Sequence, residues 1–144
     1  MEDVVIINRQ LDAPPSKVWL ALTEPDEMRK WYFPMLEDFV PTPGFETKFT
    51  VSYGGKYFLH HWKITEVRYL QKISYEWRYG GYPGSTLLEF ALKPSDSGTL
   101  LNLKHSGLLS FDPNSNPELS SVNFMQGWNG FMDALREHLS RYDA

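Results

Sequence analysis

Apolar and polar residues alternate with a period of two through the middle of the chain, over Phe45–His105. In the first run Phe49 and Tyr53 share a face with other apolar residues, while charged and hydroxyl residues occupy the opposite face. This is typical of a strand with one buried side. Gly54-Gly55 permits positive φ and predicts a tight hairpin turn. Further alternating runs, separated by the turn sequences GGYPG and PSDSG, predict a meander of antiparallel strands with one apolar face.

The clearest helix comes last. We expect Asn116 to cap it and Pro117 and Glu118 to occupy its first turn. Helical spacing gives it one apolar stripe: Phe124, Trp128, Phe131, Leu135 and Leu139. At the other end of the chain, VVIINRQLD predicts a strand, and two short helices broken at Pro25 follow it.

A long helix that follows a one-faced meander is expected to pack on its apolar face. The sequence therefore predicts an α+β fold, in which a curved antiparallel sheet wraps around a long C-terminal helix. The length fits one domain over residues 1–144.

Composition excludes several classes of function. The net charge of −4 argues against a nucleic-acid partner, and the scattered Lys and Arg residues argue against an anionic membrane surface. No apolar run approaches the ~18 residues of a membrane helix, and no secretory leader opens the chain. The absence of cysteine removes disulfides and thiolate chemistry. We expect a cytoplasmic protein, monomeric or homodimeric, without a metal or cofactor.

Four segments resemble, in the same order, the activator-of-Hsp90-ATPase-like branch of the START/Bet v 1 (SRPBCC) superfamily. They are LDAPPSKVWLALTEPDEMRKWY, TEVRYLQKISYEW, GTLLNLKHSGL and QGWNGFMDALREHL. The resemblance implies a helix-grip fold with a cavity between the sheet and the long helix, which holds an apolar ligand in relatives. It also implies a chaperone partner and a role in stress response. Trp62 stands where the family often has glycine, and Tyr69-Leu70 replaces its proline pair. The larger Trp62 side chain predicts a smaller cavity.

The adjacent His60 and His61 invite a functional interpretation. Neighbours on a strand point to opposite faces, so the two cannot share a metal or act as one catalytic unit. His60 should point inward with Phe58 and Trp62, and His105 should point inward on the last strand. The simpler interpretation is that His60 and His105 are core residues bonded to backbone or water. The alternative is that they are polar handles for a ligand, since a neutral imidazole donates and accepts.

The inward aromatic residues either fill the core or line a ligand cavity. Several carry a polar atom that needs a partner when buried, which favours a partly hydrated cavity. We expect Trp128 to be largely buried and to border the same cavity as Trp62. The candidate cavity residues are Phe49, Tyr53, Phe58, His60, Trp62, Tyr75, Trp77, Phe90, His105, Phe124 and Trp128.

The sequence leaves three hypotheses about function. The first is binding of an apolar or amphipathic small molecule without a reaction. The second is an Hsp90 co-chaperone-like interaction module. The third is a cyclase-like or hydrolase-like enzyme in which His60 or His105 acts with Tyr53 or Tyr75. The chain lacks a G-x-S-x-G elbow, a phosphate loop, an H-E-x-x-H motif and a dinucleotide fingerprint, so we expect no catalytic residue of those types.

Overall fold

The computed structural model describes residues 2–141. Its strands are β1 (Val4–Leu11), β2 (Glu46–Tyr53), β3 (Lys56–Arg68), β4 (Lys72–Tyr79), β5 (Thr86–Ser95) and β6 (Gly98–Ser106). Its helices are α1 (Pro15–Thr23), α2 (Pro25–Trp31) and α3 (Ser121–Ser140), with 3₁₀ turns at Leu108–Phe111 and Pro117–Leu119. The strands form one antiparallel sheet in the order β1-β6-β5-β4-β3-β2. This confirms the predicted α+β helix-grip architecture.

The hairpin between β2 and β3 has the two-residue turn that its sequence predicts. Tyr53 pairs with Lys56, and Gly54 and Gly55 both have positive φ, at 58° and 79°. Two consecutive positive φ angles match the right-handed twist of the flanking strands. Further along β3, a register shift between Ile64 and Glu66 adds a local bend to the long strand. The sheet can therefore curve around a helix.

Helix α3 packs its apolar stripe into the concave face of the sheet. Trp128, Leu135 and Leu139 of the predicted stripe are buried, and Met132 joins them. A polar bond on the same helix joins it to β1, where the Arg9 guanidinium donates to Asn129 Oδ1 at 2.7 Å. The remaining members of the stripe, Phe124 and Phe131, are only partly buried, since they line an open cavity.

The start of α3 corrects the predicted cap. Asn116 does not cap the helix, because its amide donates to the carbonyls of Phe111 and Asp112 and it precedes the separate Pro117–Leu119 turn. The cap is Ser120, whose Oγ accepts the backbone N–H of Asn123 at 3.3 Å. A serine at this position satisfies one of the unpaired N–H groups of the first helical turn. No helix within residues 2–141 is long and apolar enough to cross a membrane.

Replacing Ser120 with alanine tests this assignment. Ser120→Ala should lower the free energy of unfolding by about 1 kcal/mol, because the Asn123 N–H loses its acceptor. Urea denaturation followed by circular dichroism measures the change. Ser115→Ala is the control, since Ser115 is exposed in the preceding loop. Equal effects of the two substitutions would contradict the assignment of the cap.

Candidate ligand cavity

A cavity of about 390 Å³ lies between the hairpin end of the sheet and the first half of α3. The residues around it come from the chain after α2, from β2, β3 and β4, from the Pro117–Leu119 turn and from α3. Most of the wall is aromatic, and the exposed residues Tyr53 and Gln126 mark the mouth. The wall consists of Phe33, Val51, Tyr53, Phe58, His60, Trp77, Tyr79, Glu118, Leu119, Asn123, Phe124, Gln126, Gly127, Trp128 and Phe131.

The structure places six of the eleven predicted cavity residues in this wall: Tyr53, Phe58, His60, Trp77, Phe124 and Trp128. Tyr53 is 56% exposed at the mouth, so the expectation that it is buried is wrong. Tyr53 is the last residue of β2, beside the Gly54-Gly55 turn, where helix α3 does not cover the sheet. The alternation of β2 predicts which face Tyr53 lies on but not that this end of the face is exposed. Trp128 is buried as predicted, with 2% of its surface exposed.

The other five predicted residues lie in the packed core and not in the wall: Phe49, Trp62, Tyr75, Phe90 and His105. The reason is a pair of residues whose burial the hydrophobic pattern does not predict, Tyr32 and Phe33, which follow α2 directly. Tyr32 stacks on Trp62 with ring centroids 5.3 Å apart, and its hydroxyl hydrogen-bonds the Tyr75 hydroxyl at 2.8 Å. Trp62 therefore does not border the cavity as expected, because Tyr32 fills the space beside it.

Phe33 forms the boundary between the packed core and the cavity. Its ring lies 4.9 Å from Phe49, 5.7 Å from Trp62 and 5.0 Å from Phe131. The sequence shows Trp31, Tyr32 and Phe33 as three consecutive aromatics at the end of a helix. Three consecutive aromatics cannot all lie on one face of a helix. The run therefore indicates that some of these side chains enter the core beyond the end of α2, which is the sequence evidence for Tyr32 and Phe33.

His105 is held by a complete chain of hydrogen bonds. The Thr86 hydroxyl donates to the Trp77 carbonyl at 2.8 Å, so the same oxygen must accept from His105 Nε2 at 2.8 Å. With its proton on Nε2, His105 presents a bare Nδ1, which accepts the Trp128 indole N–H at 3.1 Å. Each group in the chain has the role that its chemistry allows. His105 is thus a core histidine, as the simpler interpretation predicts.

His60 has a different set of contacts. Its Nδ1 lies 3.1 Å from the Phe58 carbonyl, which can only accept, so Nδ1 carries the proton. The ring stacks on Phe49 at 4.9 Å and meets the edge of Tyr79 at 4.7 Å. These contacts fix a neutral imidazole in the cavity wall with its Nε2 lone pair unprotonated.

Burial controls the ionisation of both histidines. Desolvation lowers the pKa of His60 from 6.5 to about 4, although the bond to the Phe58 carbonyl acts in the opposite direction. Desolvation lowers the pKa of His105 to about 3. Burial also raises the pKa of Tyr75 and Tyr79 above the usual value, so both phenols are un-ionised at neutral pH. Glu118 therefore supplies the formal charge in the described wall at neutral pH.

His61 lies on the outer face of the sheet, as alternation predicts. Its Nε2 contacts Glu46 Oε1 at 2.8 Å and its Nδ1 contacts the Arg78 guanidinium at 3.0 Å. His60 and His61 are therefore on opposite faces of the sheet. Residues 2–141 contain no group of three or more His, Cys, Asp or Glu side chains arranged to hold a metal ion.

A pair of matched substitutions isolates the bond between Trp128 and His105. Trp128→Phe leaves His105 Nδ1 without its donor, whereas Trp62→Phe removes an N–H that has no partner within residues 2–141. Both side chains are buried and both substitutions remove similar volume. Trp128→Phe should therefore cost about 1–2 kcal/mol more than Trp62→Phe in urea denaturation. An equal loss of stability in the two variants, or a larger loss for Trp62→Phe, would contradict the hydrogen bond assigned between Trp128 and His105.

The two buried histidines should also make the protein sensitive to mild acid. Their pKa values are depressed in the folded state, so between about pH 6.5 and pH 4 the unfolded chain binds more protons. Above pH 7 the two histidines should not change the free energy of unfolding. As the pH falls below 7, the free energy of unfolding should decrease by up to about 1.4 kcal/mol per histidine per pH unit. Urea denaturation at pH 7 and pH 5 measures this. His60→Phe should show a smaller loss, and an equal loss would contradict the depressed pKa of His60.

Solved structures resemble this one over nearly its whole length. Protein MLL2253 from Mesorhizobium loti superposes with a TM-score of 0.77 at 26% identity, covering 98% of this chain and 99% of that one. Protein CV1439 from Chromobacterium violaceum gives 0.81 at 20% identity, covering 96% and 98%. DynU16, described as a putative protein in the dynemicin biosynthetic locus, gives 0.77 at 22% identity, covering 97% of this chain and 48% of that one. No curated protein matches the chain.

The sequence itself matches one family over most of its length. The match covers residues 12–140, from just after β1 to the end of α3, and so includes every residue of the described cavity wall. The family is described as Activator of Hsp90 ATPase homolog 1-like protein. The order of elements and the helix-grip architecture agree with the solved structures above. The chain belongs to the Activator of Hsp90 ATPase homolog 1-like family.

Proposed function

We propose that the protein binds an apolar or amphipathic small molecule in the cavity between the sheet and α3. The observation that carries this proposal is the wall itself. About 390 Å³ is enclosed largely by aromatic side chains with a few polar groups at the mouth and one imidazole on the wall. A volume of roughly 300–1,000 Å³ with apolar walls and few polar groups is typical of small-molecule sites.

The apolar wall provides the affinity. Transfer of each 100 Å² of apolar ligand surface out of water contributes about 2.5 kcal/mol before the costs of ordering are subtracted. Trp77 and Trp128 are both buried and lie in the wall with ring centroids 5.6 Å apart. Their large aromatic side chains give an apolar ligand an extensive contact area.

The arrangement favours binding without a reaction. Of the pairs expected to act as acid and base, His105 and Tyr75 lie in the core and are bonded to Trp128 and Tyr32 respectively. Tyr53 is at the exposed mouth, and His60 lies deeper on the wall. Activation of an Hsp90 and a cytoplasmic location stay predictions from the family resemblance.

Two glycines of α3 provide a matched test. A Cβ at Gly127 or Gly130 would meet nothing within 4 Å, so neither backbone position is crowded, but only Gly127 belongs to the described cavity wall. Gly127→Leu should weaken binding of the neutral fluorescent probe N-phenyl-1-naphthylamine at least tenfold by filling the cavity. Gly130→Leu should bind it as the wild type does.

Probe titration by fluorescence gives the affinities, and thermal unfolding shows that both variants are folded. A wild-type protein that does not bind the probe, or two variants that bind it equally well, would overturn the proposal. Each leucine also replaces a helical glycine, so both variants should be at least as stable as the wild type.

A further inference from the structure

The two inward histidines differ in one respect that bears on what the cavity can bind. His105 has a partner on each ring nitrogen. His60 donates from Nδ1 to the Phe58 carbonyl, and its Nε2 has no partner within residues 2–141. Nε2 is therefore a bare acceptor on a ring that is part of the cavity wall.

The His60 ring cannot readily turn to hide this acceptor. Phe33 lies at 5.1 Å, Phe49 at 4.9 Å, Trp77 at 5.5 Å and Tyr79 at 4.7 Å between ring centroids. A ring flip would also place a carbon against the Phe58 carbonyl and lose the existing bond. The acceptor is consequently a fixed feature of the wall.

Two further polar groups of the wall accept, whereas the Trp77 indole N–H is a donor without a partner within residues 2–141. Asn123 uses its amide N–H groups on the carbonyls of Pro117 and Glu118, which leaves its side-chain oxygen as an acceptor. The Glu118 carboxylate accepts from Lys56 at 2.6 Å across the mouth. The described wall includes no lysine or arginine. The hydroxyls of Tyr53 and Tyr79 can adapt to either role.

We propose that the ligand is an uncharged, predominantly apolar molecule bearing a hydroxyl or N–H group that donates to His60 Nε2, and that the cavity selects against carboxylate amphiphiles. This inference rests on the small-molecule binding proposed above and names the chemical class that the site takes. A carboxylate finds no cation in the described wall, and the Lys56 ammonium at the mouth is already paired with Glu118.

The energetic reason is the cost of an unpaired acceptor. Water can serve Nε2 while the cavity is solvated, but a ligand that fills the cavity displaces that water. A ligand without a donor leaves a buried acceptor unpaired, whereas a ligand with a donor replaces the lost bond. One such bond changes affinity by about tenfold.

Three biphenyls of similar shape test the proposal: 4-phenylphenol, 4-methoxybiphenyl and biphenyl-4-carboxylate. Isothermal titration calorimetry at pH 7.5 should give 4-phenylphenol about tenfold tighter binding than the methyl ether. The carboxylate should bind more weakly than either. His60→Phe keeps an aromatic ring but removes the acceptor, so it should abolish the preference for the phenol over the ether.

Nitrogen-15 NMR of the wild-type histidines provides a readout that does not depend on a variant. The unprotonated Nε2 resonance of His60 should move upfield when 4-phenylphenol binds and should move much less with the ether. The His105 resonances are the internal control and should barely change. Equal affinities for phenol and ether with an unmoved His60 signal would overturn this inference while leaving small-molecule binding in place. Failure of all three ligands and of the neutral naphthylamine probe would overturn both.

Discussion

The hydrogen-bond chain from Trp128 through His105 and Thr86 to the Trp77 carbonyl connects α3 directly to the sheet. Apolar packing alone would allow the helix to slide or rotate over a curved aromatic surface, because hydrophobic contacts have no preferred direction. The hydrogen-bond chain fixes one orientation of α3 relative to the sheet, because each of its donors has a single acceptor. Within a dry interior, such a chain is strong when complete and costly when broken. It joins Trp128 of α3 to the backbone of Trp77 in β4, and both residues lie in the cavity wall.

His60 is also a buried histidine, but only one of its ring nitrogens is hydrogen-bonded within the described residues. Burial keeps both histidines neutral at physiological pH, with pKa values of about 4 for His60 and about 3 for His105. His105 completes a structural chain, and His60 leaves a lone pair on the wall. The difference arises from the neighbours of each ring: Thr86 and Trp128 surround His105, whereas His60 bonds its own strand at Phe58. A fold can therefore present an uncharged hydrogen-bond acceptor on a cavity wall.

Much of the architecture was predictable from local patterns. Alternation identified the inward face of β2 to β6, Gly54-Gly55 identified the hairpin, and helical spacing identified the stripe of α3. Alternation gives the face of a residue but not its depth, so Tyr53 and Phe49 looked equivalent although one is exposed and the other buried. The position of Tyr32 depends on where the chain turns after α2, which is a tertiary property. The same limit explains why Trp62 was assigned to the cavity wall.

The central claim is that an open cavity with an unpaired imidazole acceptor receives a small molecule. A crystal structure of the protein purified without added ligand tests it most directly. The account predicts a space of about 390 Å³ beside Trp77, Trp128 and His60, with electron density for a small molecule or water within hydrogen-bond distance of His60 Nε2. A structure in which Phe131 or Phe33 closes this space, with His60 Nε2 bonded to another part of the protein, would contradict the account.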